Sequence, residues 1–183
     1  MKCLPTLLEL RRYRVRDGWA ELLARYPWEW FVTLTFKEQI HPEAALKAMR
    51  LWLSMLNRQL FGPRWYKKHP HGVYWVAAIE MQKRGVIHLH LLMAGVKDTR
   101  RLTYMDIWLN LGGKNGYSRI FPVESNDAVS RYLTKYVAKD GEIFLSANLP
   151  DVTTGLFGQM AGSESSEPLP ELKGHQEGHN SNG

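Results

Sequence analysis

The chain has a single cysteine, Cys3, which excludes an internal disulfide framework and any metal site built on several thiolates. That scarcity fits a reducing compartment, and no nucleophilic role is expected of Cys3. No segment approaches the ~20 uninterrupted apolar residues that a membrane-spanning helix needs. The short apolar run near the N-terminus is broken by Glu9 and by Arg11, Arg12, Arg14 and Arg16, so no signal-peptide core is expected. The expectation is a cytoplasmic protein with no membrane partner. A phosphate-binding loop is missing as well: Gly112-Gly113-Lys114-Asn115 lacks the earlier glycine and the hydroxyl after lysine, which excludes a built-in ATPase or helicase of that type. No internal repeat is visible.

What is present suits one domain with a sizeable core: 183 residues, 44% apolar and 11% aromatic. Charge is unevenly spread. Residues 1–157 hold 23 Lys and Arg against 14 Asp and Glu, whereas residues 158–183 hold one against four. A basic body with an acidic tail favours a polyanionic partner. The expected organisation is an N-terminal helical extension over 1–27, a central domain over 28–148 and an unstructured tail over 149–183. The tail is rich in Gly, Ser, Glu and Pro, and His175 and His179 within it are not expected to hold a metal.

Several elements follow from residue pattern. Leu7, Leu8, Leu10, Trp19, Leu22 and Leu23 predict one or two short helices, broken near Asp17 and Gly18. Trp30 to Phe36 reads as a strand, with Phe31, Thr33 and Thr35 on one face and hydroxyls available to nucleic acid if that face is shared with the histidines described below. Pro42 opens a long helix with Leu46, Met49, Leu53, Leu56 and Leu60 as its core stripe, closed by Gly62 and Pro63. Lys67, Lys68, His69 and His71 form a basic loop. A further helix, capped by Asp98 or Thr103, buries Leu102, Met105, Trp108 and Leu109. Tyr117 to Val123 forms a strand. A last helix, capped by Ser125 or Asn126, runs to Lys139 and stops at Gly141, with Ala128, Val129, Leu133 and Val137 inward.

Val73 to Met93 carries the first chemical signal. Alternation predicts two strands, and successive residues of a strand point to opposite faces, so His88 and His90 share one face. A three-residue loop of Lys83, Arg84 and Gly85, with glycine in the left-handed position, pairs Gln82 with Val86 and sets Glu80 opposite His88. A two-residue loop would send Glu80 to the other face. Two imidazoles and a carboxylate then converge with room for water and a phosphate. Mg or Mn suits such a site, and Zn is compatible with it. Lys83 and Arg84 at the turn, with Arg131, Lys67 and Lys68, are the expected DNA contacts.

The second signal is Tyr132-Leu133-Thr134-Lys135-Tyr136-Val137-Ala138-Lys139, a doubled Tyr-x-x-Lys. Residues four apart on a helix lie one turn above the other. A phenol with a pKa near ~10 is a poor nucleophile at neutral pH, and a neighbouring ammonium stabilises both phenolate and the charge building on an attacked phosphate.

His88-Leu89-His90 resembles the histidine-hydrophobe-histidine motif of HUH endonucleases, and Trp30 to Phe36 resembles their first motif strand. Tyr132 to Lys139 resembles the two-tyrosine motif of rolling-circle replication initiators, closest to the phiX-type phage A proteins. The resemblance covers residues 28 to 140, in the family's order. It implies an α+β fold: a sheet of about five antiparallel strands with helices packed on one face, like an RNA-recognition fold. It implies Mg or Mn held by His88, His90 and Glu80, and nicking of single-stranded DNA at a replication origin. Tyr136 or Tyr132 attacks, with Lys135 and Lys139 in support and Tyr136 favoured to initiate, leaving a 5′-phosphotyrosine and a 3′-hydroxyl for host polymerase. Host helicase is the other implied partner. A single-tyrosine insertion-sequence transposase of the same superfamily and a non-enzymatic single-strand-binding module are the alternatives.

Overall fold

β-Branched and aromatic side chains favour a pleated backbone, and the densest run of them forms β1 (Trp30–Phe36). The computed structural model describes residues 6–68, 72–96, 99–137 and 142–149. Before β1 runs α1 (Leu7–Ala24). After it come α2 (Pro42–Phe61), α3 (Trp65–Lys68), β2 (Tyr74–Met81), β3 (Ile87–Ala94), α4 (Arg101–Leu111), β4 (Asn115–Pro122), α5 (Asn126–Val137) and β5 (Ile143–Leu145). The strands form one antiparallel sheet in the order β4-β1-β3-β2-β5, the expected α+β fold. β5 has only three residues, too few for an alternation to show in sequence.

One sheet face and two helices make the main core. Val32, Leu34, Leu89, Leu91, Met93 and Ala77 pack against Met49, Trp52, Leu53 and Leu56 of α2 and Tyr104 and Trp108 of α4. The two buried indoles find acceptors, as burial of a polar group requires: Trp52 Nε1 donates to the Tyr104 carbonyl at 2.9 Å and Trp108 Nε1 to the Thr35 carbonyl at 3.2 Å. The second bond falls where the β1–β4 register shifts between Leu34 and Phe36. Gly116 passes that point so closely that a Cβ there would stand 2.5 Å from Thr35 Oγ1. Only glycine fits.

The opposite face is partly covered too. α5 packs on β2 and β3, and α1 packs on α5, burying Ala20 and Leu23 of α1, Val76 and Ala78 of β2, Leu92 of β3 and Leu133 of α5. The helices therefore lie on both faces, α2 and α4 behind the histidines and α5 beside them.

Local expectations need three corrections. α1 is one continuous helix through Gly18; a mid-helix glycine costs only about 1 kcal/mol, and packing on α5 outweighs it. Its last turn is closed by Trp28, whose Nε1 donates to the Leu23 carbonyl at 2.7 Å. In α4, Leu102 and Leu109 are exposed and Tyr104 is fully buried, while Arg100 stands at the N-cap without a side-chain bond. In α5, Ala128 is exposed and Ser130 and Thr134 are buried, so the inward stripe is rotated toward Val129, Ser130, Leu133 and Thr134. Ser125 Oγ accepts the Ala128 amide at 3.3 Å as the cap. Asp98, His69, His71, Lys139, Gly141 and the expected tail lie outside the described residues, as do the side chains of Tyr136, Val137 and Lys68. Among the described residues no helix is long and apolar enough to cross a membrane.

Candidate metal centre and the tyrosine helix

The β2–β3 turn decides the site. The Gln82 amide donates to the Val86 carbonyl at 3.0 Å and the Gly85 amide to the Gln82 carbonyl at 2.8 Å, leaving Lys83, Arg84 and Gly85 as the loop. Gly85 has φ +76°, a conformation other residues rarely adopt. Glu80 is thereby paired with His88, and one ligand atom from each of Glu80, His88 and His90 lies within 4.8 Å of the others.

His90 is buried and His88 half-buried. His90 Nε2 stands 3.0 Å from Glu80 Oε2, and Gln82 Nε2 donates to the same oxygen at 2.6 Å. Burial lowers both imidazole pKa values below the ordinary 6.5, outweighing the upward pull of Glu80; Arg84 lowers His88 further and His88 lowers His90. Both rings are therefore neutral at pH 7, the form that ligates a metal. His88 Nε2 is buried without a hydrogen-bond partner among the described residues.

These features fit a divalent cation. An orphaned buried nitrogen in the centre of such a cluster is explained by a ligand it would hold. Two ligands at right angles on an ion with ~2.1 Å bonds stand ~3.0 Å apart, the spacing already set between His90 and Glu80.

Thr33 is a member of the site that sequence reading assigned elsewhere. It pairs with His90 across β1 and β3, and its Oγ1 lies 3.2 Å from His90 Nδ1. A hydroxyl both donates and accepts. It thus serves the tautomer in which Nε2–H faces Glu80 and also the one in which Nε2 is bare for a metal. Thr35, instead of facing nucleic acid, is buried and donates to the Tyr117 carbonyl at 2.6 Å. Thr33→Val is expected to lower Mn affinity about 10- to 100-fold, the usual cost of losing a ligand's hydrogen-bonded support. Isothermal titration of the folded variant checks this, and unchanged affinity would remove Thr33 from the site.

The depressed imidazole pKa values also set a sign for stability. Between the folded values and 6.5 the unfolded chain binds more protons, so stability is complete above pH 6.5 and falls as pH drops through the folded values. Urea unfolding with chelator between pH 5 and 8 is expected to show this loss. A His88→Gln/His90→Gln variant is expected to lack that part of it.

α5 brings the tyrosines to this face. The Tyr132 ring meets Phe31 edge-on at 5.3 Å and lies 6.4 Å from the His90 ring, with Lys135 Nζ 5.6 Å from its centroid. Tyr136 follows one turn later on α5. Of the expected DNA contacts, Lys83 and Arg84 are exposed at the turn beside the cluster. Arg131 is ion-paired with Asp127 at 3.0 Å. Lys67 sits on α3 before the start of β2, and the six residues from Tyr74 to Glu80 span roughly 20 Å, so nothing draws it to the site.

A five-stranded antiparallel sheet that presents two neutral imidazoles and a carboxylate on one face, beside a helix bearing tyrosines, defines an α+β protein with a candidate divalent-metal centre. The chain belongs to the ORF2-type replication-associated protein family, whose model matches residues 29–141. That span begins just before β1 and ends just after the two tyrosines. No curated protein and no solved structure matches the chain.

Proposed function

We propose that this replication-associated protein nicks and rejoins single-stranded DNA at a replication origin and so starts rolling-circle replication. The observation that carries the reading is the Glu80–His88–His90 cluster with Tyr132 placed beside it on the same sheet face. Glu80, His88 and His90 would hold Mg or Mn, which when bound supplies Lewis acidity to a scissile phosphate. The remaining work belongs to the chain. Lys83 and Arg84 attract the phosphate backbone, and α5 holds a tyrosine in place for attack. The phenolic oxygen bonds to phosphorus as the bond to the 3′ oxygen breaks; the phenolic proton passes to solvent and the 3′ oxygen leaves as a hydroxyl. Lys135 beside Tyr132 favours the phenolate. The ring's position beside His90 supports Tyr132, and its place one turn later supports Tyr136 as a second nucleophile. Host polymerase then extends the 3′-hydroxyl, and strand separation falls to a host helicase.

The test is incubation with a pool of single-stranded oligonucleotides and Mn, followed by a denaturing gel. A shifted, protease-sensitive protein–DNA band is the expected result. Retention of DNA in native gels with no covalent band would leave a binding module and overturn the enzyme.

A further inference from the structure

β4 is an edge strand, and on the histidine side it exposes two aromatic rings. Tyr117 and Phe121 are each 52% exposed, whereas Ser118 and Ile120, on the core side of the same strand, are buried. Arg119, between them, is exposed, and its guanidinium carbon lies 5.4 Å from the Tyr117 ring centroid. The register ties this strip to the site: Arg119 pairs with Thr33 and Phe121 with Phe31, and Thr33 pairs with His90 on the other side of β1. With strands about 4.8 Å apart, β4 runs roughly 10 Å from β3. Tyr117 and Phe121 are separated by about 13 Å along the strand, four residues at ~3.3 Å each.

Two exposed rings on a sheet normally add hydration cost and an aggregation hazard at an edge strand. A charged residue between them and a metal cluster two strands away point to an occupant with flat apolar faces and negative charge. We propose that Tyr117, Arg119 and Phe121 form the platform on which bases of the single-stranded DNA substrate stack, with Arg119 on an intervening phosphate; this rests on the function proposed above. Base–aromatic stacking is sequence-tolerant because every base has a π face, and an edge ring with guanidinium beside it takes one without a dedicated pocket. The platform holds the strand alongside Thr33 so that the neighbouring phosphate faces Glu80, His88 and His90. Arg119 is thereby a positioning residue, and it touches DNA rather than the reacting atoms.

The test measures binding of a fluorescein-labelled oligothymidylate by anisotropy in chelator, so that metal and nicking play no part. Tyr117→Ala and Phe121→Ala are each expected to weaken binding about 5- to 150-fold, the range that one stacked base supports, with the salt slope unchanged. Arg119→Ala is expected to reduce the salt slope by about 0.7. An oligonucleotide of abasic residues is expected to bind wild type and the Tyr117→Ala/Phe121→Ala variant equally. All three side chains are exposed, and circular dichroism and Mn titration, unchanged from wild type, establish that the variants are folded with the cluster intact. Oligothymidylate binding as tight in the double variant as in wild type would overturn the platform alone. Wild type that binds no single-stranded DNA at any salt would overturn the proposed function with it.

Discussion

His88→Ala and His90→Ala are each expected to lower the rate of oligonucleotide nicking by at least about 10²-fold, the scale of removing one preorganised electrostatic stabiliser. The expectation comes from what each ring does in the structure. His88 Nε2 is buried with no partner among the described residues, so its truncation removes no hydrogen bond from the fold. His90 is more deeply set, between Thr33 and Glu80, and its truncation leaves Glu80 with Gln82 as its remaining described partner. Loss of His88 should therefore cost activity with little change in thermal stability, while loss of His90 costs both. Glu80→Ala should weaken Mn binding and recover part of its rate in excess Mn. Single-turnover nicking, thermal unfolding and Mn titration on the same preparations separate these effects. Wild-type nicking by His88→Ala in the same metal would show that the cluster is not the catalytic centre.

Replacing both tyrosines is expected to abolish the covalent adduct altogether. Removing the phenolic oxygen while keeping the ring leaves the packing of Tyr132 on Phe31 in place, so Tyr132→Phe is expected to fold normally. One round of rolling-circle replication needs a second strand transfer to finish, and two nucleophiles a helical turn apart, ~5.4 Å of rise, permit one to hold the 5′ end while the other attacks. Either single variant is then expected to form an adduct and to fail in strand transfer. Tyr132→Phe/Tyr136→Phe is expected to form none. Adduct at wild-type level in that double variant would refute the nucleophile assignment, and full strand transfer by Tyr132→Phe would reduce Tyr132 to a packing residue.

Alternation, turn chemistry and motif order were enough to find the strands β1 to β4, the long helix α2 and the pairing of Glu80 with His88. These depend on neighbours in sequence: side-chain period selects strand or helix, and Gly85 selects the loop that sets the register. The doubled Tyr-x-x-Lys was likewise visible, because residues four apart on a helix meet whatever the rest of the chain does. Sequence alone determined the hairpin, its three convergent side chains and the helix that bears the tyrosines. The tertiary structure decided which strands stand beside that hairpin. Placing β1 next to β3 turned Thr33 from an expected nucleic-acid contact into the partner of His90, and burying Thr35 against β4 removed it from the surface. The stripe of α5, the exposure of Leu102 and the continuity of α1 were decided the same way, by which face met a neighbour. Local propensities differ by tenths of a kcal/mol to about 1 kcal/mol per residue, whereas burying one large apolar side chain contributes about 1.5–3 kcal/mol. Where the two compete, packing between distant segments wins, and no window of sequence contains that information.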